Sequence, residues 1–311
     1  MTVPAPALEW RCGARTFDLA RRVLVMGIVN VTPDSFSDGG RFLAPGAALD
    51  HARRLLEEGA DVLDVGAEST RPGAEPVPPE EQWRRLGPVI GPLAAEGACV
   101  SVDTASAAVA ARALDAGAVI VNDVTALRDP GMAELVAARG AGLVLMHMRG
   151  TPRTMQLAPR YGDVATDVIE WLRVRLRAAR RAGIQAACIA LDPGIGFGKT
   201  VRHNLELLAR LDELAAFGRP VLVGVSRKSF LGKTLELPVD ERLEGGLAAT
   251  AIAVFQGARI VRTHDVRATV RAVRIAEELR DARRDRPPAP ADPYAGGVPP
   301  GAGGASGGGA P

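Results

Sequence analysis

Between residues 23 and 284 the chain repeats one phrase. A short, mostly apolar run is followed by a polar or glycine-rich break, then by a longer stretch in which Ala and Leu recur at helical spacing among Arg and Glu. The runs are VLVMGIV, DVLDVG, ACVSVD, AVIVND, LVLMH, ACIALD, VLVGVS and ARIVRTH. Runs of this length, rich in β-branched residues, are typical of strands buried on both faces of a parallel sheet. The stretches between them, such as ALDHARRLLEEGA, ASAAVAARALDAGA and VRHNLELLARLDELAAFG, have amphipathic helical spacing, and several end in Gly, where a left-handed C-cap sits. Eight β-α units over about 260 residues predict a (β/α)8 TIM barrel spanning 23–284. An open, doubly wound sheet is the alternative layout.

The flanks read differently. Residues 1–22 carry two semi-apolar runs around Gly13, which predict a short hairpin closing the lower end of the barrel. Residues 285–311 are Pro, Gly and Ala with almost nothing to bury, so a disordered tail is expected there.

Composition narrows the function. A chain that is 47% hydrophobic supports a large core, and a net charge of +2 argues against nucleic acid as a partner. Cys12, Cys99 and Cys188 are far apart and lack C-x-x-C spacing, which argues against a disulfide framework or a structural zinc site and fits a reducing cytoplasm. The N-terminal residues lack the pattern of an export signal, and the sequence holds no apolar run long enough for a membrane span, so a cytoplasmic protein is expected.

In an α/β barrel the chemistry gathers at the C-terminal ends of the strands. Here those ends carry Asn30; Glu68, Ser69, Thr70 and Arg71; Asp103; Asn122 and Asp123; His147; Asp192; Ser226, Arg227 and Lys228; and Arg262 and His264. Asp103 and Asp123 are also plausible helix caps. Lys228, Arg262 and His264 cap no helix N-terminus and point to a ligand site, whereas His51 and His203 lie inside helical patterns. The cations, with Arg71, suit an anion such as phosphate. Asp103, Asn122 and Asp192 suit the edge of a flat, nitrogen-rich ring. A substrate with a polar ring at one end and a phosphate or pyrophosphate at the other would use both sets. LDPGIGFGKT looks like a nucleotide-binding loop, but the Walker spacing would require Gly where Pro193 stands, and the Rossmann spacing fails too. Two long Gly- and Pro-rich segments, Asn30 to Phe42 and Gly66 to Glu81, read as a lid.

The stretches MGIVNVTPDSFSDGG, DVGAESTRPG, SVDT, NDV, LMHMRGTPRTMQ, LDPGIGFGKT, GVSRKSFLG and RTHDV, in this order and at strand spacing, resemble the bacterial dihydropteroate synthase family over nearly the whole barrel. The resemblance implies condensation of p-aminobenzoate with 6-hydroxymethyl-7,8-dihydropterin pyrophosphate, giving dihydropteroate and pyrophosphate, with Mg2+ required. It implies that Asp103, Asn122, Met146, Asp192, Phe197, Lys228 and Arg262 hold the pterin, and that Asn30, Arg262 and His264 meet the pyrophosphate. Asn30 would also help hold Mg2+. Phe36, Asp38, Thr70, Arg71, Pro72 and Ser229 would complete the p-aminobenzoate site. Asp103, Lys228, Arg262 and His264 are the residues implied for catalysis, with early C–O cleavage and aniline attack on a pterin methylene cation. A homodimer is the implied assembly. Departures are Ala67 for a second Gly, Arg149 where Gln is common, and an unusual NDVTAL after the fourth strand. The competing readings are a catalytically silent pterin-binding paralogue and a corrinoid-linked methyltetrahydrofolate methyltransferase; TPDSFSDGG, STRPG and SRKSF weigh against the latter.

Overall fold

The structure, a computed structural model, describes residues 8–32, 45–69 and 73–284. It opens with an antiparallel hairpin, β1 (Glu9–Cys12) and β2 (Arg15–Asp18). Eight parallel strands follow: β3 (Leu24–Asn30), β4 (Val62–Gly66), β5 (Val100–Asp103), β6 (Ile120–Asp123), β7 (Gly142–Met146), β8 (Ile189–Asp192), β9 (Leu222–Val223) and β10 (Ile260–Thr263). They pair in the order β8-β7-β6-β5-β4-β3-β10-β9. A parallel bridge between Leu191 and Val221, with Leu191 N–H donating to Pro220 at 2.8 Å, joins the two ends. This is the TIM barrel that the eight-fold repeat predicts, with its N-terminal hairpin.

The outer helices are α1 (Pro45–Glu57), α2 (Pro79–Ala95), α3 (Ala107–Asp115), α4 (Met132–Arg139), α5 (Val164–Arg181), α6 (Val201–Ala209), α7 (Leu211–Ala215), α8 (Ser229–Leu235), α9 (Leu243–Phe255) and α10 (Val266–Arg284). Two details differ from the sequence reading. The stretch VRHNLELLARLDELAAFG breaks at Arg210 into α6 and α7, where Arg210 binds Glu206, Glu213 and Asp163. The segment read as a loop up to Glu81 already turns helical at Pro79, because proline suits the first helical position and Glu80 and Glu81 favour the positive end of the helix dipole. The tail, 285–311, lies outside the described residues. Among them, no helix is long and apolar enough to cross a membrane.

Strand parity sorts the barrel's side chains. Odd-numbered residues of β3, such as Val25 and Val29, face the helices, as do Leu63 and Val65 of β4. Inside, Leu24, Met26, Val62, Cys99, Ile120, Val144, Ala190, Leu222 and Ile260 form an apolar floor with Trp10, Cys12 and Leu19 from the hairpin region. Trp10 is fully buried and donates its indole N–H to the carbonyl of Cys188 at 3.0 Å, so the ring is buried without an orphaned donor. The hairpin therefore plugs one end, and the interior turns polar only toward the other.

Candidate active site

Above the floor the inward positions carry Ile28, Asp103, Asn122, Met146, Asp192, Gly224 and Arg262. With Val124, Phe197, Ser226, Lys228 and His264 they line one cavity of about 450 Å³ that opens to solvent. Eight of the predicted ligands thus meet around one space: Asp103, Asn122, Met146, Asp192, Phe197, Lys228, Arg262 and His264. Asn30 ends β3 on the inward parity, half-buried, and Ser229 opens α8, exposed; neither lines the cavity. Phe36, Asp38, Thr70, Arg71 and Pro72 lie outside the described residues.

Other polar strand-end residues go elsewhere, and parity explains why. His147 follows inward Met146 and therefore points out, edge-on to Trp171 with ring centroids 5.0 Å apart. Asp123 points out as well, accepting from the N–H groups of Thr125 at 2.8 Å and Leu127 at 2.6 Å. It holds the turn in which Ala126 and Leu127 have positive φ, so the unusual NDVTAL segment places Asn122 and Val124 on the cavity lining and then turns sharply. Arg227 pairs with Asp265 at 2.5 Å, and Glu68 accepts from Gln82 at 2.8 Å. Asp103 is free of capping duty because Ser106 caps α3.

Arg262 spans two carboxylates. Its Nε donates to Asp64 at 2.6 Å and its Nη2 to Asp103 at 2.7 Å. Burial pushes the Asp103 carboxyl well above the ordinary carboxylate range, against the pull of Arg262 and with a push from Asp64. Burial also raises Asp192, opposed by Lys228, while one Asp192 oxygen accepts from Gly194 N–H at 2.6 Å. The Lys228 ammonium is lowered to about 8 by burial, with Asp192 pulling the other way. It donates to the carbonyl of Ile195 and sits 4.8 Å from the Phe197 ring centroid. Ser226 Oγ meets His264 Nδ1 at 3.1 Å at the mouth.

The LDPGIGFGKT segment is a wall of this cavity. Gly194 has φ +66°, and a Cβ there would stand 1.9 Å from the carbonyl oxygen of His147, so only glycine lets the chain pass. Buried Lys199 then staples the loop from behind, donating to the carbonyls of Gly194 at 2.8 Å and Phe197 at 3.0 Å and meeting His147 Nδ1 at 2.9 Å. Burial lowers the Lys199 ammonium to about 7, with Asp192 opposing. A depressed folded-state value means that the unfolded chain binds the extra proton between about pH 7 and the ordinary lysine value, so stability rises with pH across that window. Urea unfolding at pH 7 and 9.5 is therefore expected to show wild type gaining on Lys199→Met as pH rises. A constant difference would contradict this placement of Lys199. At neutral pH the variant is expected to lose about 1–3 kcal/mol, from two carbonyls stranded inside.

Two functional residues escape a reading of strand ends. Asp64 lies in mid-strand in DVLDVG, and its parity with Val62 and Gly66 is the available signal. Lys199 is hidden in a motif whose resemblance to a phosphate loop is accidental.

The class is thus an α/β barrel with a cavity at the C-terminal ends of its strands, lined by the buried acceptors Asp103, Asn122 and Asp192 and by the cationic side chains Lys228 and Arg262. The profile of the family described as pterin binding enzyme matches residues 26–264. The dihydropteroate synthase of Escherichia coli (strain K12) is 46% identical over 263 residues, covering 84% of this chain and 93% of that protein. The Yersinia pestis dihydropteroate synthase, solved as a sulfonamide drug complex, superposes with a TM-score of 0.84 at 45% identity, covering 88% of this chain and all of that one. The Xanthomonas albilineans enzyme in complex with 7,8-dihydropteroate gives a TM-score of 0.78 at 44% identity, covering 87% and 98%. The chain belongs to the pterin binding enzymes and, among them, to the dihydropteroate synthases.

Proposed function

We propose that this transferase joins p-aminobenzoate to 6-hydroxymethyl-7,8-dihydropterin pyrophosphate, yielding 7,8-dihydropteroate and pyrophosphate in folate biosynthesis. The observation that carries the reading is the single cavity with Asp103, Asn122 and Asp192 on one wall and Lys228, Arg262 and His264 around the mouth. The acceptors take the N–H groups of the pterin edge, and Met146 and Phe197 pack on its faces. Phe197 in turn rests on an apolar cluster of Val124, Met146, Met148 and Met155.

The C–O bond to the pyrophosphate breaks first, and its electron pair leaves with that group. Asp103 and Asp192 spread the positive charge left on the pterin methylene. The aniline nitrogen then supplies the pair for the new C–N bond and sheds its proton. An aniline is neutral near pH 7, so no strong base is needed. Arg262 and His264 meet the departing oxygens, and a fixed donor of this kind lowers the barrier by about 3 kcal/mol. The p-aminobenzoate site is assigned to Ser229 with Phe36, Asp38, Thr70, Arg71 and Pro72.

A metal fits in one way. Among the described residues no group of three or more His, Cys, Asp or Glu is placed to hold one. Mg2+ usually keeps several waters and takes few protein ligands beside substrate phosphates, and the Asn30 side-chain oxygen at the end of β3 would be one such ligand. When bound, Mg2+ neutralises charge on the leaving pyrophosphate.

The chain is also proposed to act in the cytoplasm as a homodimer, for which packed helices α9 and α10 offer exposed Ile252, Phe255, Ile275 and Leu279. Sedimentation velocity is expected to show a dimer that Ile275→Glu converts to monomer; an unchanged dimer would reassign the interface.

The deciding assay mixes protein, the pterin pyrophosphate, p-aminobenzoate and Mg2+ and follows both products. Pyrophosphate and dihydropteroate should appear together, with pyrophosphate falling to a slow background when p-aminobenzoate is omitted. A silent paralogue would bind the pterin and release neither.

A further inference from the structure

Asp64 stands apart from the ligands assigned above. It lies in the middle of β4 on the inward parity, is completely buried, and does not line the cavity. Its Oδ2 accepts from Arg262 Nε at 2.6 Å and from Asn122 Nδ2 at 3.0 Å. Its Oδ1 is buried with no hydrogen-bond partner among the described residues. A buried carboxylate with one oxygen unsatisfied is weak evidence of a stability device and calls for another role. Its two bonds run to two groups of the ring site, one on each side of the strand that carries it.

We propose that Asp64 is a positioning residue that decides which edge of the heterocycle the cavity accepts, an inference that rests on the pterin reading above. The two ends of an amide side chain are told apart only by their partners. The Asp64 oxygen that accepts from Arg262 Nε also takes the Asn122 NH2 group, which turns the Asn122 oxygen toward the ligand. The same carboxylate holds Arg262 Nε while Asp103 holds Nη2, which fixes the guanidinium plane across the top of the wall. With Asn122 so oriented, the wall reads as three acceptors: Asp103, the Asn122 oxygen and Asp192. Such a wall selects a ring edge rich in N–H groups, as in a 2-amino-4-oxopteridine. It rejects a 2,4-dioxopteridine, whose second carbonyl would face an acceptor. With a neutral amide at position 64, both orientations of Asn122 become available and the wall no longer has one reading.

The test is direct binding by calorimetry of two rings, pterin and its 2,4-dioxo counterpart, to wild type, Asp64→Asn and the swapped pair Asp64→Asn with Asn122→Asp. No turnover is involved. Wild type is expected to prefer pterin by about a hundredfold or more, as expected where a mismatched ligand leaves buried polar groups unpaired. In Asp64→Asn the preference should fall at least about tenfold while the thermal midpoint holds, because Arg262 keeps Asp103 and the amide oxygen still accepts from its Nε. The swapped pair should recover most of the preference, because the amide then at position 64 donates to the carboxylate at position 122, which keeps an acceptor on the wall. An unchanged preference in Asp64→Asn overturns the proposal. Equal weakening of both rings with a lower midpoint also overturns it, marking Asp64 as merely structural. Failure of wild type to bind either ring is a different result: it removes the pterin reading, and the proposal with it.

Discussion

Arg262→Ala is expected to lower pyrophosphate release about a hundredfold, the usual loss for one preorganised donor. It is also expected to destabilise the barrel by about 3–5 kcal/mol, because Asp64 and Asp103 are left buried without their shared cation. The two effects separate by pH. Burial already raises Asp103, and removing Arg262 removes what pulled it down. A raised folded-state value contributes stability at low pH and loses it as pH rises through that value. Protonated Asp103 therefore relieves part of the damage in acid, and urea unfolding should show a larger gap between wild type and variant at pH 8 than at pH 6. A gap that does not change with pH would mean that Arg262 is not what holds these carboxylates. Undiminished turnover would remove it from the pyrophosphate site.

Lys228→Met should give a different combination: a comparable loss of turnover with a smaller loss of stability. The Lys228 ammonium is partly buried, donates to one carbonyl, that of Ile195, and makes no direct ion pair with Asp192 among the described residues, so the variant loses an attraction to that buried carboxylate but no paired contact, and its loss of stability should be smaller than that of Arg262→Ala. The wild-type rate should also carry the signature of this group. With the ammonium lowered to about 8, kcat/KM should fall as pH rises through that value, since that profile reports groups of the free enzyme. The residual activity of Lys228→Met should lack that basic limb. Persistence of the limb in the variant would assign it to another residue.

The barrel is legible in the sequence because each of its strands is buried on both faces and so reads as an unbroken apolar run between glycine-rich breaks. Much of the site is legible for a related reason: at strand ends, Lys228, Arg262 and His264 have no capping role to explain them. What strand ends hide is direction. His147 and Asp123 occupy such ends but sit one residue past an inward position, so they serve α5 and a turn instead. Asp64 is hidden for the converse reason, lying inside a run whose other members suggest only packing. The break at Arg210 coincides with carboxylates of α6, α7 and the N-cap of α5 converging on one guanidinium, a tertiary effect that helical spacing does not carry.

The hairpin plug has a consequence for the three thiols. Cys12, Cys99 and Cys188 are all buried, Cys12 and Cys99 in the same apolar cluster as Trp10, and burial pushes each thiol up, Cys99 to about 11. Only thiolates react readily, so a maleimide or disulfide reagent near neutral pH meets almost no reactive sulfur in the folded protein. Modification must wait for the hairpin to lift away, and its rate becomes an internal clock for that opening. Substrate added at the mouth should slow the clock only to the extent that the whole barrel breathes as one body.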